Sequence, residues 1–134
     1  ANKESDIINR YIESLKKDLS NKNPELKNFN EKLDNSLKIL IKFTEWIKDK
    51  MRKSKNDVSA ACNDYLKVLG YVAVAHSWIK VLEVSYKNYE TNKQFYEDKI
   101  NTAKYYFERV LPRIESHYIT AVSGSDYIMS HKFN

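Results

Sequence analysis

Glycine and proline are nearly absent from this chain. Its 134 residues hold two of each, against ordinary usage of about 7% and 5%. Chain reversals rely on those two residues, so few reversals are available. A β-sandwich or barrel needs a turn every ten residues or so, which this composition does not supply. A Gly-rich phosphate loop is excluded on the same count. Cys62 is the single cysteine. An intramolecular disulfide and a multi-cysteine metal site are therefore excluded, which fits a reducing compartment. Long hydrophobic runs are also missing. The longest uncharged stretch, Val68 to Ile79, has 12 residues, too short to span a bilayer, and no membrane span is expected. The N-terminus has no apolar signal core and no initiator Met. A cytoplasmic product, or a piece of a longer chain, is expected.

What is present points to helices. Charged residues make up 31% and apolar residues 42%, with a mean hydropathy of −0.68. Ten Tyr, five Phe and two Trp argue against disorder. The net charge is +5. It rests on 19 Lys and four Arg, residues mixed with acids rather than gathered in a nucleic-acid-binding tail. The abundance of Lys, Asn, Ile and Tyr is also what AT-rich codons produce.

Apolar residues recur at three- and four-residue spacing almost throughout. Ile7, Ile8, Tyr11, Ile12, Leu15 and Leu19 predict helix 1 over Ser5 to Ser20, with Glu13 and Lys17 as an i,i+4 pair. Asn23 as cap and Pro24 at the first helical position predict the start of helix 2, whose stripe runs from Leu26 to Met51. The cations in Lys48 to Lys55 read as a helix C-terminal turn complementing the dipole rather than as a nucleic-acid patch. Helix 3 is expected from a cap at Asn56 or Asp57 to about Tyr86. Leu66 to Trp78 is apolar almost all round, which predicts a central helix touched on several faces. Gly70 inside it suggests the close approach of another helix. After a polar link, Lys87 to Asn92, a cap at Thr91 or Asn92 opens helix 4. Pro112 predicts a kink near Glu108 or a break, and Gly124 reads as the residue just past the helix end. The tail from Ser125, with Tyr127, Ile128, Met129 and Phe133, is expected to pack back on the bundle. The fold class expected is all-α: one domain, an up-down bundle of about four long helices.

Chemistry is harder to find. His76 sits among apolar neighbours and reads as a hydrogen-bonded core histidine. His117 follows Glu115 at i+2, on a different helix face. No Glu precedes a His by three positions, so the helical di-iron pattern fails, and a zinc His-Glu-x-x-His is absent. Cys62, between small residues, reads as a small buried hydrophobe. Glu83 and Glu108 are the nearest carboxylate candidates, and no acid–base couple stands out. The aromatic clusters Tyr86/Tyr89, Phe95-Tyr96 and Tyr105-Tyr106-Phe107 admit two readings. One is a Tyr-rich docking face of a stand-alone interaction module, and the other an aromatic bundle core.

The second half resembles a known family. Asp64 to Trp78 resembles the long helix in the C-terminal extension of certain bacterial acyl-CoA dehydrogenases. Phe95 to Arg113 resembles the next helix of that extension, with Phe-Tyr, Lys99, Ala103, Phe107, Arg109 and a closing Leu111-Pro112-Arg113 in order. Gly124 and the Met-bearing tail resemble its end. Within that family the pattern resembles the 3-methylmercaptopropionyl-CoA dehydrogenase-like branch. Lys104-Tyr105 departs from an Arg-Phe-like pair. The resemblance implies a parent flavoenzyme that dehydrogenates acyl-CoA thioesters, a Glu removing the α-proton while the β-hydride passes to FAD. The family's catalytic and flavin residues lie upstream, and none carries onto this chain. It implies an accessory domain without a cofactor of its own. That domain would pack on the catalytic domains, shape the acyl channel or support a homo-oligomer. Gly70, Trp78, Lys99, Tyr105, Tyr106, Phe107, Arg109, Pro112, Arg113 and Gly124 are the candidate motif and interface residues.

Overall fold

In a computed structural model, the backbone is described over residues 3–21, 23–53 and 58–131, and side chains over 6–21, 23–53 and 58–123. Five α-helices follow in order: α1 Lys3–Leu19, α2 Lys27–Lys53, α3 Ser59–Lys87, α4 Lys93–Tyr105 and α5 Arg113–His131. No strand occurs among the described residues. The all-α bundle expected from periodicity is what forms.

The helix starts follow the local chemistry. Asn23 Oδ1 accepts the Glu25 N–H at 3.0 Å, and Pro24 opens a single 3₁₀ turn before α2. Asn92 Oδ1 accepts the Phe95 N–H at 3.3 Å and caps α4. Such caps satisfy backbone donors that have no partner inside the helix. The expected caps Asn56 and Asp57 lie outside the described residues, and α3 starts at Ser59. The Glu13 carboxylate pairs with Lys16 at i+3, 3.7 Å away, rather than with Lys17.

Side-chain contacts give the topology. Thr44 on α2 meets Tyr65 on α3. On the other side of α3, Tyr71 faces Tyr106, while Asp64 faces His117. Residue numbers rise along one helix as they fall along the other, so α3 runs antiparallel to α2 and to the α4–α5 arm. Phe29 meets Phe107 and Phe43 meets Tyr118, so α2 and that arm run parallel. This is the up-down arrangement. The core is a single cluster in which Leu15, Leu26, Leu33, Leu40, Phe43, Val68, Val72, Ala75 and Leu82 are wholly buried.

The expected fourth helix is interrupted but not ended. Its backbone widens into a π turn over Tyr106–Val110, where the Leu111 N–H bonds the Tyr106 carbonyl five residues back, at 2.9 Å. Pro112 follows and has no N–H to give. The π turn lets the chain cross the proline while Phe107, Leu111 and Ile114 stay buried. The break thus falls where expected.

Two glycine expectations are overturned. A Cβ built on Gly70 would meet nothing within 4 Å, so no helix crosses there and the residue faces open space. Gly124 does not stop its helix, since α5 continues through it to His131. Glycine costs only about 1 kcal/mol inside a helix, too little to end one by itself. Whether residues 125–134 pack back on the bundle lies outside the described side chains.

Candidate functional site

The central helix carries two histidine–carboxylate pairs. His76, on the α1 side of α3, is buried. Its Nε2–H donates to Asp18 Oδ2 on α1 at 2.6 Å. Its Nδ1 accepts the Tyr11 hydroxyl at 3.3 Å, and the two rings meet edge to face. This tautomer satisfies both contacts at once. The second pair stands on the other side. His117 Nδ1 on α5 donates to Asp64 Oδ1 on α3 at 2.8 Å, and the imidazole stacks on Tyr71 with centroids 5.8 Å apart. Tyr106 donates its hydroxyl to the Tyr71 carbonyl.

Asp18–His76–Tyr11 has the order of a proton relay, but the tyrosine points the wrong way for a base. Burial, and then the nearby Asp18 carboxylate, raise the Tyr11 phenol above its ordinary value of 10.0. A phenol that resists ionisation is a weak nucleophile and a weak general base near neutral pH. Tyr106 is pushed up further, to about 12, by burial and then by Tyr71. Tyr65 is raised by burial, partly offset by its bond to Thr44. These groups act as hydrogen-bonded struts between helices. The expectation of a hydrogen-bonded core histidine at position 76 holds.

The candidate motif residues do not converge on one point. Tyr106 and Phe107 are core, with Phe107 edge-on to Phe29 at 5.2 Å. Trp78 packs half-buried against the core. Tyr105, Arg109, Pro112 and Arg113 are exposed. Lys99 is exposed and lies over the Phe95 ring at 5.3 Å. Gly70 faces solvent, and Gly124 lies within α5. The three aromatics in a row therefore divide, two inward and one outward. Cys62 is half-buried against the core. Glu83 and Glu108 are exposed, on α3 and in the π turn. Lys48 and Lys53 in the basic segment meet Glu45 and Asp49, and Lys50 lies over Trp46. Sequence spacing missed Asp18 and Asp64. The one available signal was His76 itself, a polar ring in an apolar helix that requires a partner.

Among the described residues, two of the open grooves are roomy. One, of about 530 Å³, lies at the α1–α2 turn between Leu19, Asn21, Pro24, Lys27, Asn30 and Asp34. Asn30 donates to Asn21 at 3.2 Å there, and its own Oδ1 has no partner. The other, of about 300 Å³, lies between Lys32, Ser36 and Ile39 on α2 and Phe107, Leu111 and Pro112. Among the described residues that line the larger, the amides and the Glu31 and Asp34 carboxylates stand beside one cation, Lys27, where a pyrophosphate calls for several donors and positive charge. Among the described residues, no three His, Cys, Asp or Glu side chains come together to hold a metal ion.

Comparison with known proteins gives one match. No curated protein and no solved structure matches the chain. A family model described as acetyl-CoA dehydrogenase C-terminal like matches residues 6–132. That span includes both histidine pairs, the π turn and all the candidate motif residues, so the chain belongs to this acyl-CoA dehydrogenase C-terminal domain family.

Proposed function

We propose that the chain is the accessory helical domain of a FAD-dependent acyl-CoA dehydrogenase, without chemistry of its own. The observation that carries the reading is the family match over residues 6–132. The parent enzyme removes an α-proton and a β-hydride from an acyl-CoA thioester, and FAD, bound elsewhere in it, accepts the hydride. This domain contributes packing on the catalytic domains, and through that packing it shapes the acyl channel or supports a homo-oligomer in the cytoplasm. The 3-methylmercaptopropionyl-CoA dehydrogenase-like branch is the one proposed, on the order of Lys99, Phe107 and Leu111-Pro112-Arg113. The arrangement of the motif supports a structural role. Phe107 and Leu111 hold the π turn into the core, while Tyr105, Arg109 and Arg113 are left outside for a neighbour.

The test compares two purified proteins. The 134-residue chain is expected to be colourless and not to reduce an electron acceptor with acyl-CoA. The full reading frame that contains it is expected to be yellow and active. Stoichiometric flavin on the isolated chain, or a full-length product without acyl-CoA dehydrogenase activity, sinks the reading.

A further inference from the structure

Helix α3 is apolar on both sides, yet the described residues of the bundle cover only one. By length and composition it is apolar enough to cross a membrane, and 39% of that apolar window is buried against its neighbours. The uncovered side is itself apolar. At about 100° per residue, Leu66, Gly70, Val74, Ser77, Val81 and Val84 fall within about 80° of one another around the helix. Leu66 is 62% exposed, Val74 46% and Val84 52%. Gly70 lies at the middle of the stripe with open space above it. Isolated exposed apolar residues are ordinary, but Leu66, Val74 and Val84 share one face of a central helix, with half-buried Val81 between the last two.

The edges of the stripe are basic. Lys80 and Lys87 adjoin it on one side and Lys67 on the other, all exposed. The acids of the same helix stand away from it. Asp64 is turned to His117 on α5, and Glu83 lies further round than Lys80.

We infer that this stripe is a docking surface for an apolar helical face edged with Asp and Glu, supplied by another part of the same polypeptide. Two observations select that occupant. The first is charge: a second copy of α3 would bring lysine edges against lysine edges, which disfavours self-pairing. The second is area. A stripe from Leu66 to Val84 is about 27 Å long and about 10 Å wide. That is well below the roughly 800 Å² per partner of a stable free complex. A tethered occupant does not need that area, because its effective concentration is high. Small side chains at Gly70 and Ser77 let a helix backbone approach closely. They also lack the bulky aromatic and leucine face that inserts into a lipid surface. The inference rests on the reading of the chain as a domain of a larger enzyme.

The experiment places p-benzoylphenylalanine at Val74 in the full-length gene product. It is irradiated as a mixture of heavy- and light-isotope subunits, so mass spectrometry separates within-chain from between-chain links. The expected link joins position 74 to a helix outside these 134 residues of the same chain, with Asp or Glu beside its apolar face. A triple variant Lys67→Glu, Lys80→Glu, Lys87→Glu, at exposed positions, is expected to lower the yield at least threefold at low salt. No link, a link only to α3 of a second copy, a lysine-edged target or an unchanged yield in the triple variant overturns the inference. So does co-sedimentation of the Val74 region with phosphatidylglycerol vesicles. An acid-edged link in a polypeptide without dehydrogenase activity supports the docking surface and sinks the enzyme reading, so the two fail separately.

Discussion

Asp18 and His76 lie 58 residues apart in the chain and 2.6 Å apart in the fold. Their bond ties α1 to the central helix, and Tyr11 closes it on the other ring nitrogen. Removing the carboxylate leaves Nε2 of a buried ring without an acceptor. Asp18→Ala is expected to cost about 1–2 kcal/mol, read as a lower midpoint in urea at unchanged slope. His117→Ala, at a half-buried ring, is expected to cost less. The reverse order would mean that α1 is held by its apolar stripe alone.

Gly70→Ala is expected to stabilise the chain. The new Cβ meets nothing within 4 Å, the residue is helical, and alanine is favoured there by about 1 kcal/mol. Thermal denaturation checks the sign. A loss of stability would require a neighbour over Gly70 in the isolated chain.

Tyr105, Tyr106 and Phe107 should separate in mutational cost. Phe107→Ala removes a ring that is 2% exposed and is expected to cost about 3–5 kcal/mol. Tyr105→Ala, at a ring 62% exposed, is expected to stay within about 0.5 kcal/mol of the parent. Equal costs would contradict the inward and outward assignment made by the π turn.

Alkaline pH should loosen the fold through Tyr106. Its phenol rises from 10.0 to about 12 in the native state, so folding favours the protonated form. The contribution is fully present below pH 10 and is lost as pH rises from there through about 12. A rise from 10.0 to about 12 corresponds to about 2.7 kcal/mol, which solvent screening at the partly exposed phenol reduces to the order of 1–2 kcal/mol. Denaturation curves across that window should steepen in their pH dependence, and Tyr106→Phe should flatten them. An unchanged slope in the variant would assign the effect to other tyrosines.

How much of this was legible in advance depends on the range of each interaction. Helices 1 to 4, the Asn23–Pro24 start, the Asn92 cap and the disturbance before Pro112 were readable because each depends on neighbours within about five residues. Backbone hydrogen bonding and apolar periodicity act over that distance. Gly124 misled because a glycine stops a helix only when the chain beyond it prefers to leave. The π turn itself was not readable. The π turn goes with tertiary contacts as well as with Pro112, since Phe107 meets Phe29 across the bundle and Leu111 stays buried.

The same division applies to function. By itself the sequence determined an all-α bundle, the family resemblance and the absence of a metal or nucleophile pattern at short spacing. Only the tertiary structure decided which carboxylates His76 and His117 meet, since Asp18 and Asp64 are 58 and 53 residues from them. It also decided that Gly70 faces outward. An apolar run has no polar side to mark the solvent face, so the pattern of Leu66 to Trp78 is equally consistent with burial in any direction. Among the described residues, the packing of α1, α2, α4 and α5 around α3 selects the direction and leaves one apolar stripe uncovered.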